Sequence, residues 1–155
     1  MNELTIKKIK VVNKDKKIKL DYLINGDEMS GTFVEPAAPE FYDTMKRLTS
    51  PVCEIIEVPE DMFEGRLEPF GVTYFHGQNC TSASIQCRLH MNESDTDTVL
   101  NTPVRKVSTE YDDGLEGPTC ALLSQLEEEA KKYLTGQRAQ TNLFEDAQPG
   151  LTVVK

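Results

Sequence analysis

The sequence predicts an α+β domain: a mostly antiparallel sheet with two helices packed on one face, followed by a mobile C-terminal tail. Three observations carry this. Strand-like runs bounded by turn residues recur at 3–12, 16–24, 29–34, 70–76 and 82–91, the first two rich in Val and Ile. Apolar stripes of helical period follow the two groups of strands, at 39–48 and 118–134. Residues 137–155 show neither period, so the domain is expected over 1–136 and a tail over 137–155. Two helices cover only one face of such a sheet, which leaves the other partly wet.

In ELTIKKIKVV and KKIKLDYLI, apolar residues are interleaved with lysines and joined by Asn13-Lys14-Asp15, a hairpin pattern. Asn25-Gly26 is a second tight turn, because both residues tolerate positive φ, and it leads to a strand near Met29–Val34. Pro39 suits the first position of a helix whose Phe41, Met45 and Leu48 share one face. Residues 51–58 are compatible with either a helix or a buried strand.

The runs 70–76 and 82–91 form a second hairpin across Gly77-Gln78-Asn79. Ala83, Ile85, Cys87, Leu89 and Met91 then share one face, and Ser84, Gln86, Arg88 and His90 the other. Residues 92–117 are polar, with one further strand expected near Pro103–Ser108. The last helix runs from Pro118 to Leu134 on a stripe of Leu122, Leu123, Leu126, Ala130, Tyr133 and Leu134, and Gly136 ends it. Glu127 with Lys131 and Glu128 with Lys132 are favourably ordered i, i+4 pairs.

At 155 residues the chain is the size of one domain, and its 38% apolar share is enough for a core. Formal net charge is -9, which opposes generic nucleic-acid binding. The first 20 residues depart from this with seven lysines against Glu3 and Asp15, or +5, leaving -14 for the remainder. Such a strip protects a sheet edge from unwanted pairing, or else contacts phosphate. Weak or no direct nucleic-acid binding is expected. No run is long and apolar enough for a membrane span, and MNELTIKKIK lacks a secretory apolar region. Cys53, Cys80, Cys87 and Cys120 are therefore expected as free thiols in the cytoplasm.

Phosphate-binding glycine loops and the G-x-S-x-G elbow are missing. His76, Cys80, Cys87 and His90 are borderline-soft ligands close in sequence, but Cys87 and His90 would point to opposite faces of a strand, and no zinc-knuckle spacing is present. No metal and no cofactor are expected. Glu54, Glu57, Glu60, Asp61 and Glu64 cluster in sequence, as do Asp112 and Asp113, without a histidine in a recognised spacing. No catalytic residue is nominated, and the chain is expected not to be an enzyme.

Gln140-Thr141-Asn142-Leu143-Phe144 places an apolar pair on an otherwise polar tail, a pattern suited to insertion into a partner's pocket. These five residues resemble the peptide by which bacterial replication and repair proteins dock on the sliding clamp. The resemblance implies that Gln140 supplies a directional hydrogen bond while Leu143 and Phe144 fill a hydrophobic pocket. Thr141 stands where Leu is frequent in that family. The chain also resembles small bacteriophage and prophage proteins that end in a similar A-Q-x-x-L-F stretch, here Ala139–Phe144. Together these imply an accessory protein of DNA replication or recombination whose partner is the host sliding clamp.

Overall fold

A computed structural model describes residues 3–12, 17–63 and 65–136. Seven strands form one antiparallel sheet: β1 (Leu4–Val12), β2 (Lys17–Ile24), β3 (Asp27–Phe33), β4 (Leu67–His76), β5 (Thr81–His90), β6 (Asp97–Asn101) and β7 (Arg105–Lys106). Their order is β3-β2-β1-β4-β5-β6, and β7 pairs with β5 alongside β6. The helical layer consists of α1 (Pro39–Lys46), α2 (Thr49–Ile56) and α3 (Gly117–Leu134), with α1 and α2 forming one bent helix. The expected α+β architecture, with two helical units on a mostly antiparallel sheet, is therefore present. The connection expected at Asn13-Lys14-Asp15 lies outside the described residues.

Local chemistry explains most boundaries. Asn25 and Gly26 adopt φ of 52° and 89° between the paired residues Ile24 and Asp27, the left-handed geometry of a two-residue hairpin loop. In β1 the alternation is interrupted: Ile6 faces Tyr22 and Ile9 faces Leu20, with Lys7 as the extra residue of a bulge. The bulge resets the pleat, so Ile6 and Ile9 both point into the core despite their odd separation. Without it, Ile9 and Val11 would face water.

Residues 51–58 resolve as helix rather than strand, since α2 runs from Thr49 to Ile56. Pro51 has no N–H to donate to Arg47, and its ring crowds that carbonyl, so the helix bends at Arg47-Leu48. The helix resumes with Val52 N–H donating to Leu48 C=O at 2.9 Å. It ends at Glu57, in the left-handed region at φ 63°, with Val58 N–H returning to Cys53 C=O. A non-glycine residue at that position is why the sequence carries no stop signal there.

The core lies between the helices and one sheet face. Ile9, Leu20, Val72 and Ile85 from the sheet meet Phe41, Leu48, Leu123 and Tyr133 from the helices. Two tyrosine hydroxyls secure the layers: Tyr74 donates to Leu123 C=O at 2.6 Å, and Tyr133 to Glu35 C=O at 2.6 Å. Burial raises the Tyr74 phenol well above its ordinary range and pushes Tyr133 up to about 12.

Three local expectations are corrected. Residues 92–117 contain β6 as well as the short β7, and the expected strand over Pro103–Ser108 is confined to Arg105–Lys106. Met91 lies past the end of β5 and is exposed rather than sharing its buried face. On α3 the ion pairs form at i, i+3, with Lys131 on Glu128 at 3.5 Å and Lys132 on Glu129 at 3.4 Å. Glu127 is instead drawn towards His76.

Candidate functional site on the uncovered sheet face

The strand register defines the face that none of the described helices covers. One row across it reads Thr32, Lys19, Lys10, Gly71, Gln86, Asn101. The next reads Ser30, Asp21, Lys8, Thr73, Ser84. Lys10 and Lys19 stand directly opposite each other, an arrangement that destabilises a sheet by like-charge repulsion. Among the described residues, neither ammonium has a carboxylate within ion-pair distance.

Beside this pair the chain buries an aromatic ring on the wet side. Pro69 pairs with Cys87 and Gly71 with Gln86, so Phe70 is the extra residue of a second bulge. Phe70 is only 6% exposed because cations cover it: the Arg88 guanidinium lies 4.2 Å from the ring centroid and the Lys10 ammonium 5.8 Å. Gly71 keeps the surface flat here, since a Cβ would meet Ile9 O at 3.0 Å and Gln86 Oε1 at 3.1 Å.

Further along the same face, β1 and β4 part. Their ladder spans only Lys8–Lys10 against Thr73–Gly71. Beyond it opens a cleft of about 560 Å³, lined by Thr5, Lys7, Leu23, Phe75, His76 and Ser82 among others. Phe75 is 50% exposed at its side, a large apolar surface left to water. Lys7 at its rim pairs with Glu28 at 3.7 Å.

His76 closes the inner end of the split. Its Nε2 meets Ile6 C=O at 2.7 Å and Glu127 Oε2 at 3.7 Å, and its Nδ1 meets Thr81 Oγ1 at 3.2 Å. A carbonyl only accepts, so Nε2 carries a proton and Nδ1 is taken up by the hydroxyl. Glu127 has a raised carboxyl pKa, chiefly through burial and against the opposing pull of His76. With both nitrogens engaged, the imidazole latches β4 to β1 and α3. Cys80 lines the same cleft, but no hydrogen bond joins its thiol to His76.

The remaining residues singled out from sequence do not converge. Cys87 is buried in the core, and burial pushes its thiol up to about 12. His90 is exposed at the far end of β5, pairing with Asp97 at 3.0 Å and Asp95 at 3.4 Å. His76 and His90 flank opposite ends of a ten-residue strand, roughly 30 Å apart. Among the described residues, no group of three His, Cys, Asp or Glu is placed to hold a metal ion. Glu54 is structural: its Oε1 accepts from Thr119 Oγ1 at 2.6 Å and its Oε2 from Glu116 N–H at 3.1 Å. It thereby caps α3, whose own N-cap residue makes no side-chain bond. Asp113 is bound to Lys106 at 3.3 Å. Glu64, Gln140, Leu143 and Phe144 lie outside the described residues.

Neither a family model, nor a curated protein, nor a solved structure matches the chain. Among the described residues, no helix is long and apolar enough to cross a membrane.

Proposed function

We propose that this is a non-enzymatic accessory protein, cytoplasmic and of phage or prophage type, that docks on a host DNA sliding clamp through its C-terminal segment. The observation that carries the reading is Gln140-Thr141-Asn142-Leu143-Phe144. It supplies a Gln and an apolar pair at the spacing of the clamp-binding peptide. The segment follows Gly136, where the chain turns out of α3 at φ 103°. In this reading Phe144 and Leu143 enter an apolar pocket and Gln140 gives the directional hydrogen bond. The second reading, a stand-alone α+β binding module, draws its support from the uncovered sheet face and its exposed Phe75.

Titration of the full chain against purified bacterial sliding clamp tests the proposal. Micromolar affinity is expected, near -8 kcal/mol, because ordering a peptide on docking costs conformational entropy. Burying Leu and Phe side chains contributes roughly 1.5–3 kcal/mol each, so Leu143→Ala with Phe144→Ala should weaken binding at least ~100-fold. The melting temperature of that variant should stay within a degree or two of the parent. A fall of many degrees, or clamp binding that survives the double substitution, defeats the proposal.

A further inference from the structure

We infer that the uncovered sheet face is a weak binding surface for single-stranded nucleic acid, with Lys8, Lys10 and Lys19 as phosphate contacts and Phe75 as a stacking platform. The inference goes beyond the clamp reading and is independent of residues 137–155. Three observations meet on one face. First, Lys10 and Lys19 oppose each other without a carboxylate partner among the described residues, so the fold tolerates a repulsion that an anionic ligand relieves. Second, Lys10 and Arg88 are held over Phe70, with Arg88 also paired to Glu68 at 3.7 Å, and Gly71 flattens the sheet between them. The cations therefore stand on a rigid plane, at steps of roughly 5 Å between strands and 7 Å along them. Third, a half-exposed phenylalanine and a cleft of about 560 Å³ open on the same face, beside Lys8 and Thr73. Regular cations next to an aromatic surface are what a single strand needs, with its backbone on the charges and its bases on the ring. An acidic protein segment would use the cations but has no base to stack on Phe75.

The charge of the molecule sets orientation and strength. Residues 39–57 and 117–134 of the helical layer carry seven carboxylates against four cations, so a polyanion is repelled from that side. The total of -9 keeps binding weak and strongly salt-dependent.

Fluorescence anisotropy with labelled oligothymidylate and the full chain tests this, in low salt and again at physiological salt. Binding is expected in low salt and a loss of tenfold or more at physiological salt. Lys10→Glu creates an opposite-charge pair with Lys19, so it should raise or preserve the melting temperature while weakening oligonucleotide binding at least tenfold. That opposition separates a binding role from a structural one. Phe75→Ala should weaken binding severalfold without changing its salt slope. Lys132→Glu, on the helical side, should leave it unchanged. The inference is overturned if the oligonucleotide fails to bind in low salt, if Lys10→Glu binds like the parent, or if polyglutamate of similar length binds as tightly as oligothymidylate. Clamp titration of Lys10→Glu should match the parent, so the two proposals fail separately.

Discussion

Side chains that look alike in sequence do different work according to what they touch. Glu54 belongs to a run of acidic residues, yet it reaches across to α3 and satisfies both Glu116 N–H and Thr119 Oγ1. Its negative charge also sits at the positive end of that helix. Removing it leaves the first turn of α3 without a side-chain acceptor. Glu54→Ala should therefore cost about 1–2 kcal/mol, a drop of roughly 2–8 °C in melting temperature for a domain of this size. Glu54→Gln keeps one acceptor oxygen and should cost less than half as much. Thermal melts of both variants check the ordering, and equal losses would show that shape rather than capping matters. This role was not legible in the sequence, because a cap supplied by a different helix 62 residues away leaves no local pattern. The bulge at Phe70 was hidden likewise, since FGVTYFH reads as an ordinary strand until its register with β5 is known.

At the scale of elements, the sequence was most informative where one residue type forces one backbone geometry. Asn25-Gly26, Pro39 and Gly136 each fall at the turn or helix end their chemistry requires. It was least informative at the outer edge of the sheet. There β6 and β7 act as one strand interrupted at Thr102-Pro103-Val104, because Pro103 has no N–H for the ladder. Thr102 bridges the interruption with its side chain: Ile85 N–H donates to Thr102 Oγ1 at 2.9 Å, and Thr102 N–H returns to Ile85 C=O at 3.0 Å. Thr102 is 4% exposed, so water cannot replace the lost acceptor. Thr102→Val preserves shape but strands the Ile85 N–H, at a cost of about 1–3 kcal/mol. Native-state hydrogen exchange should show the Ile85 amide losing protection in that variant while amides of β1 and β2 change only with global stability. Unchanged protection at Ile85 would mean that the ladder, not the hydroxyl, holds this edge.

The whole molecule separates charge and burial by layer, and this sets its response to pH. The open face carries Lys8, Lys10 and Lys19 with Asp21 and an Arg88–Glu68 pair among them, and the helical layer is net acidic. Between them lies a core that holds ionisable groups in their neutral forms. Cys87 and Tyr133 are pushed up to about 12, and Tyr74 well above its ordinary value, chiefly through burial. In the unfolded chain the thiol ionises near 9.0 and the phenols near 10.0. Above those values the unfolded state has released protons that the folded state retains, so unfolding gains and stability falls as pH rises. Each such group removes roughly 1.4 kcal/mol per pH unit between its unfolded and folded pKa, and below pH 9 none of them contributes a slope. Against a total stability of about 5–15 kcal/mol, three groups acting together should make the domain lose stability steeply as pH rises above about 10. Circular dichroism followed alongside tyrosinate absorbance provides the check. Two phenols should ionise in the same cooperative step in which secondary structure is lost, and Cys87 should become reactive to thiol reagents only in that step. Tyr74→Phe, which removes one of the titrating groups together with its bond to Leu123, should show lower stability at neutral pH but a shallower alkaline decline. If all the phenols ionise while the secondary structure persists, the tyrosines are not the buried latches between sheet and α3 that their hydrogen bonds describe.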